Sequence, residues 1–299
     1  MSTKVTKSVK DKSKVTKEEW REFTKTVWHI ANTSHSDHPA VFPVEIPRRL
    51  IKLFSFYGET VLDPFGGSGS SAKAAIPLGR KIICVDQNPK YVEITSRDCK
   101  PLRNAVPSSK LLRAICGDSR CLKIDDDSVS LIVTSPPYWN KANYGGGSMD
   151  IGAEAHYDRF LDHMNSVFRE CFRVLQASRK LCVVTANVNQ FTDHGLLTFP
   201  LAADFVAILR RVGFVMINEI IWSKDGTGGR WGSANRQRPI FGSYPYPPNF
   251  LFKNVHEHIL IFAKPSTKKN SNKRAVRYDS LVDPPETVET RLTDSARFR

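Results

Sequence analysis

The feature that most constrains the fold is a glycine-rich break between two short apolar runs. Glu59 to Phe65 is apolar and ends in Asp63-Pro64-Phe65-Gly66-Gly67-Ser68-Gly69. A helix is expected from about Ser70 to Leu78, and a buried strand from Lys81 to Asp86. Strand, tight turn, helix and strand in so few residues predict a parallel βαβ unit. The alternation continues. Asn88-Pro89 puts Pro in the first turn of a helix reaching about Cys99. Leu111 to Asp118 and Val129 to Thr134 read as strands. Tyr157 to Leu175 places Phe160, Met164, Val167, Phe168, Cys171 and Leu175 on one helical face. Lys180 to Thr185, Phe214 to Trp222 and Glu257 to Phe262 read as strands, and Leu201 to Arg211 as a helix. The expectation is an α/β protein with a doubly wound, mostly parallel sheet. Such sheets bind ligands at the carboxyl ends of their strands. Asp63-Pro64-Phe65, Asp86, Asp118 and Ser135 to Tyr138 all fall there.

The 299 residues suffice for one large domain, placed at 18–264. Residues 1–17 read as a flexible basic arm, and 265–299 as a tail or extension. Lys and Arg number 44 against 30 acidic residues, for a net charge of +14. That favours a polyanionic partner. Six cysteines show no metal-ligand spacing, and Cys84, Cys116 and Cys182 sit in apolar runs as core residues. This fits a reducing cytoplasm, with no metal. No apolar run is long enough to span a bilayer.

Gly66, Gly67 and Gly69 allow tight turning and close approach of a ligand to backbone. Asp86, at the end of the next strand, is placed to grip a ribose diol. A phosphate-binding loop needs Gly-Lys-Ser/Thr at its helix start, which is missing, and G-x-G-x-x-G does not fit. Asp63 would repel a pyrophosphate, yet it suits the cationic amino-acid end of S-adenosyl-L-methionine.

Thr134-Ser135-Pro136-Pro137-Tyr138-Trp139 follows an apolar strand. Two prolines remove two N–H donors and stiffen the backbone. What remains is acceptors, the carbonyl oxygens and the Ser135 hydroxyl, suited to an –NH₂ group. Accepting its protons turns a delocalised amine lone pair toward a methyl donor. Tyr138 offers a face for stacking on a flipped base, and Trp139 adds to that wall or packs behind it.

These residues resemble the amino-methyltransferases of DNA modification. D-P-F-G-G-S-G resembles their cofactor motif, and S-P-P-Y their catalytic motif in the form associated with N4-cytosine methylation. His38-Pro39-Ala40-Val41-Phe42-Pro43 is similar to a segment that covers the methionine end, and Glu257 to Lys264 to the closing strand. The match runs from about Trp28 to Lys264. It implies the class I methyltransferase fold with a seven-stranded sheet. It also implies S-adenosyl-L-methionine as cofactor, held by His38, Pro39, Asp63, Phe65, Gly66, Gly67, Gly69, Asp86 and Asp118. Ser135, Pro136, Pro137 and Tyr138 would be catalytic. Base flipping, duplex DNA as substrate, a cognate restriction endonuclease and a prokaryotic, nucleoid-associated cytoplasmic setting follow from the same likeness. Two points separate this chain from many N4-cytosine enzymes. Its cofactor motif precedes its catalytic motif, and the choice of cytosine over adenine N6 rests largely on Ser135, where adenine-N6 enzymes more often carry Asn or Asp.

Residues 225–250 form a small irregular insertion between strands, with Arg230, Arg236, Arg238, Tyr244 and Tyr246 interleaved with Gly and Pro. Arg reads guanine edges, so these residues and Trp139 are the candidate DNA contacts, with part of the stretch as active-site wall. Three other readings stay open: adenine N6 as target, an RNA or protein-glutamine amine, and a non-catalytic DNA-binding module. A cytosine-C5 enzyme needs a nucleophilic Cys, and the catalytic segment has none.

Overall fold

The computed structural model describes residues 5–33, 42–104, 111–141, 150–224, 246–248, 252 and 254–266. The chain divides into two compact units, Met1–Pro265 and Ser266–Arg299. The second, like His38, Pro39, Arg230, Arg236, Arg238 and Tyr244, lies outside the described residues, save Ser266.

The elements in chain order are α1 (Lys7–Lys12), α2 (Lys17–Phe23), β1 (Val27–His29), α3 (Glu45–Phe54), β2 (Thr60–Asp63), α4 (Ser70–Ala75) and β3 (Lys81–Asp86). Then follow α5 (Pro89–Asn104), β4 (Leu112–Cys116), β5 (Val129–Thr134), α6 (Tyr157–Val174) and β6 (Leu175–Thr185). β7 (Val188–Thr192), β8 (Gly195–Phe199), α7 (Leu201–Val212), β9 (Val215–Ser223) and β10 (His256–Ala263) close the set.

The main sheet runs β1-β9-β10-β6-β5-β2-β3-β4. β2 pairs in parallel with β3 and β5, and so do β3 with β4 and β5 with β6. β10 alone is antiparallel to its neighbours, β6 and β9. Every side chain of β5 is buried. Ile132 faces one core, with Phe160, Met164, Phe168 and Phe205 of α6 and α7. Leu131 and Val133 face the other, with Ile46, Leu50 and Ile51 of α3 and Ala72 of α4. The two-residue period of a strand thus feeds two helical layers at once. The doubly wound, mostly parallel arrangement expected from the sequence is present.

Several expectations are corrected. The seven-stranded sheet gains an eighth strand, because Val27–His29 adds to β9 in parallel and buries Trp28. The segment from Glu18 to about Ile30 reads in the sequence as a short helix, yet the helix stops at Phe23, after a capping box between Thr16 and Glu19. The arm at 1–17 contains α1, whose Thr6 caps Val9 N. α6 ends one residue early, since Leu175 already belongs to β6, which starts before Lys180. Cys116 is exposed rather than buried, because it ends β4 at the open edge of the sheet. The hairpin β7–β8 was not anticipated. Among the described residues no helix is long and apolar enough to cross a membrane.

Candidate active site

Going out from β2, chain order proceeds through β3 and β4 on one side and through β5 and β6 on the other. Neighbouring connections diverge there, and sheets of this kind open a crevice at such a point, here the carboxyl ends of β2 and β5. Asp63 ends β2 and Thr134 ends β5, and the Thr134 hydroxyl donates to Asp63 Oδ1 at 2.8 Å. Asp63 also accepts from Ser71 Oγ at 2.6 Å and Phe65 N at 3.1 Å. The side chain has no exposed surface. It ties together β2, β5 and the start of α4, rather than standing at the rim. Burial pushes its carboxyl up to about 7, against the pull of those three donors.

The glycine loop packs directly on β3. Gly66 N donates to Val85 O at 2.8 Å, and a Cβ on Gly66 would lie 2.8 Å from Cys84 Cβ. Gly69, with φ of 82°, needs the left-handed conformation to open α4. Thr95 Oγ1 donates to Gly67 O at 2.8 Å and fastens the loop to α5. Phe65 is half-buried against the core. Asp86 is where the sequence placed it, with Oδ2 accepting from Gly67 N and Oδ1 from Asn88 N, each at 2.9 Å. Burial raises its pKa. Asp118 is gripped by Arg120 at 2.8 Å. Burial works to raise its carboxyl, but the Arg120 guanidinium outweighs this and holds it below the ordinary range.

Beyond Thr134, Pro136 and Pro137 are buried, while Ser135 and Tyr138 are half-buried. Ser135 Oγ lies 3.3 Å from the Tyr138 hydroxyl. That hydroxyl donates to Glu257 Oε2 at 2.7 Å. Glu257 is the second residue of β10, and its Oε1 is ion-paired with Lys224, which directly follows β9. The antiparallel course of β10 brings its first residues to the same sheet edge as the catalytic loop.

A family model for DNA methylases matches residues 1–97 and 129–290. The chain belongs to the DNA methylase family. The type II methyltransferase M.BglI of Bacillus subtilis is 40% identical over 93 residues, 30% of this chain and 27% of that enzyme. The DNA adenine methyltransferase YhdJ of Escherichia coli is 30% identical over 102 residues, 32% of this chain and 35% of that one. The first curated relatives are thus matched over about a quarter of their length. A Thermus thermophilus protein described as a putative DNA modification methylase, TTHA0409, was solved with S-adenosyl-L-methionine. It is 30% identical, covering 58% of this chain and 63% of its own, with a TM-score of 0.38.

One expected DNA contact of this methylase is corrected. Trp139 is only 6% exposed. Its Nε1 donates to Glu154 O at 2.9 Å, and its ring packs on Tyr157 and Phe199 at 5.0 and 4.7 Å. Its backbone takes the left-handed conformation, with a φ of 34°. Tyr246 is 73% exposed. Lys224 and Glu257 were missed as site residues. The signal available was an acid at the head of a strand that continues as an apolar run, His-Glu-His-Ile-Leu-Ile-Phe-Ala, where an unpaired charge is costly.

Proposed function

We propose that this DNA methylase transfers a methyl group from S-adenosyl-L-methionine to N4 of cytosine in duplex DNA. We further propose that it serves as the modification partner of a restriction endonuclease. The observation that carries the reading is the 2.8 Å bond from Thr134 to Asp63. It fixes the first residue of the catalytic loop to the first residue of the glycine loop, so the acceptors proposed for the amine stand beside the loop proposed for the cofactor.

The residues present fit that cofactor. Gly66 lies too close to β3 for any larger residue, and Gly67 and Gly69 have positive φ. Side chains are therefore kept off the loop, as close approach of a nucleoside needs. Gly66, Gly67, Gly69, Phe65 and Asp86 would hold the cofactor, with Asp118 at the adjoining strand end. Asp63 would act by shaping the loop. When bound, the cofactor supplies an electrophilic methyl group on sulfur. Ser135 and the Pro136 carbonyl accept the amine's protons and hold its lone pair in line. Tyr138 stacks on the base turned out of the helix. The transfer would form the N–C bond as the C–S bond breaks, its electron pair leaving with a neutral thioether, and the surplus amine proton would pass by way of the Ser135 and Pro136 acceptors to solvent.

Nucleoside mass spectrometry of duplex DNA treated with the chain and labelled S-adenosyl-L-methionine tests this. Label in N4-methylcytosine is expected, and DNA without label would overturn the proposal. Methylation of adenine N6 is the second reading, favoured by the similarity to YhdJ, which is named as an adenine enzyme. Label in N6-methyladenine would replace the cytosine reading with it.

A further inference from the structure

The catalytic loop presents a hydroxyl where an acceptor is required. A hydroxyl is ambivalent: it donates one hydrogen bond and accepts others, and it rotates to suit its surroundings. An Asn or Asp oxygen at this position would accept whatever lay behind it. Ser135 accepts from an amine only if its own proton is drawn elsewhere. The direction of that proton has to be set from behind the loop.

We propose that Glu257 is a positioning residue that sets the hydrogen-bond polarity of the loop and makes Ser135 an acceptor toward the substrate amine. The polarity starts at Lys224. An ammonium only donates, so the Lys224–Glu257 pair commits Glu257 Oε1 as an acceptor. Oε2 accepts the Tyr138 proton at 2.7 Å. Tyr138 has one proton, and it is spent on Glu257. Its 3.3 Å contact with Ser135 then runs one way, from the Ser135 hydroxyl to the Tyr138 oxygen. With that proton turned inward, Ser135 offers lone pairs to the crevice. The pair at the start is secluded, with Lys224 and Glu257 side chains 11% and 10% exposed, so water competes poorly for either end.

This inference rests on the proposed methyl transfer to an exocyclic amine. It predicts an inversion. In Glu257→Gln the introduced amide meets the Lys224 ammonium with its oxygen and turns its –NH₂ toward Tyr138. Tyr138 then accepts from position 257 and donates to Ser135, and the Ser135 proton points at the substrate. The side chain keeps its size, and the loop keeps its hydrogen bonds with their direction reversed.

The test compares single-turnover methyl transfer, and Kd for cofactor and duplex, in wild type and variants of the full chain. Glu257→Gln is expected to slow transfer on the order of 10²-fold, as loss of one oriented hydrogen-bond partner does, with both Kd values within about threefold. In the Tyr138→Phe background, which keeps the stacking ring and removes the relaying hydroxyl, Glu257→Gln should cost almost nothing more. Adding Lys224→Met to Glu257→Gln frees the amide to turn its oxygen to Tyr138, and should recover much of the lost rate. A purely structural role for Glu257 would instead give equal losses with Tyr or Phe at 138 and a further loss on adding Lys224→Met, and either result overturns the inference. The thermal midpoint of each form separates misfolding from slow chemistry, and if Glu257→Gln folds poorly, Tyr138→Phe alone tests the relay: transfer should slow with both Kd values within about threefold, and an unchanged rate would overturn the inference. Wild-type chain that methylates no amine would fell the proposed function itself. Transfer by wild type with additive variants would fell only the role of Glu257.

Discussion

At the scale of single residues, the site divides into positions whose demands are local and positions whose demands come from across the sheet. Gly66 and Gly69 were legible in the sequence, because only glycine meets the close packing and the left-handed φ that the loop requires. Asp63 was legible as important but not in its role, since no linear pattern shows that Thr134 and Ser71 both point at it. Its burial makes a prediction about pH. The folded carboxyl titrates at about 7 against an ordinary 3.8. Between those values the folded chain holds a proton that the unfolded chain has released. This group's contribution to stability is therefore full below its unfolded pKa and is lost as pH rises through about 7. Chemical denaturation of wild type and Asp63→Asn at about pH 5 and about pH 8 checks the sign. Wild type should lose more stability across that interval than the variant, and parallel losses would refute the assignment. Ser135→Ala removes the acceptor without touching the glycine loop. Methyl transfer should fall by about 10²-fold or more, while cofactor affinity measured by calorimetry stays within about twofold. A matched fall in cofactor affinity would place Ser135 in the wrong role.

At the scale of elements, strong periodicity was read well and short or composite segments were not. α6 announced itself by its buried face, and β5 by an apolar run interrupted only by Ser130 before Thr134. β1 has three residues and gains its identity only from the edge of β9, so Val27–His29 read as the end of a helix. The β7–β8 hairpin alternates weakly and is largely exposed on β8, and it passed as a connection. Yet that hairpin matters to the site. Phe199 of β8 and Tyr157 of α6 enclose Trp139, which directly follows Tyr138. Trp139 therefore anchors the end of the catalytic loop to two elements. Replacing it by Ala removes a buried indole and should cost about 3–5 kcal/mol of stability. Denaturant unfolding gives that number. DNA affinity of the folded fraction, from filter binding below the unfolding transition, should be unchanged. A variant of native stability that binds DNA weakly would restore Trp139 to the DNA surface.

At the scale of the whole chain, the net charge of +14 bears on association with DNA rather than on the fold. Lys7, Lys10, Lys12 and Lys14 lie on or just after α1, all exposed, and α1 buries no side chain. This segment is nevertheless attached. Tyr57 N donates to Ser13 Oγ at 2.8 Å, and Lys12 Nζ sits 4.7 Å from the centre of the Tyr57 ring. A helix with no core of its own, fixed at one end and lined with lysines, serves a surface function or none. If these lysines neutralise phosphates, each such pairing releases counterions and steepens the dependence of affinity on salt, without regard to base sequence. Changing all four to Gln should then flatten the slope of log affinity against log salt by roughly one for each phosphate no longer neutralised. Nonspecific and specific duplexes should weaken alike, and the methylated site should stay the same when read by modification-sensitive sequencing. Lys14 is the weakest contributor of the four, because Asp11 already pairs with it at 2.8 Å. A slope identical to that of the unaltered chain would show that α1 does not meet the DNA. The excess charge would then have to act through other surfaces.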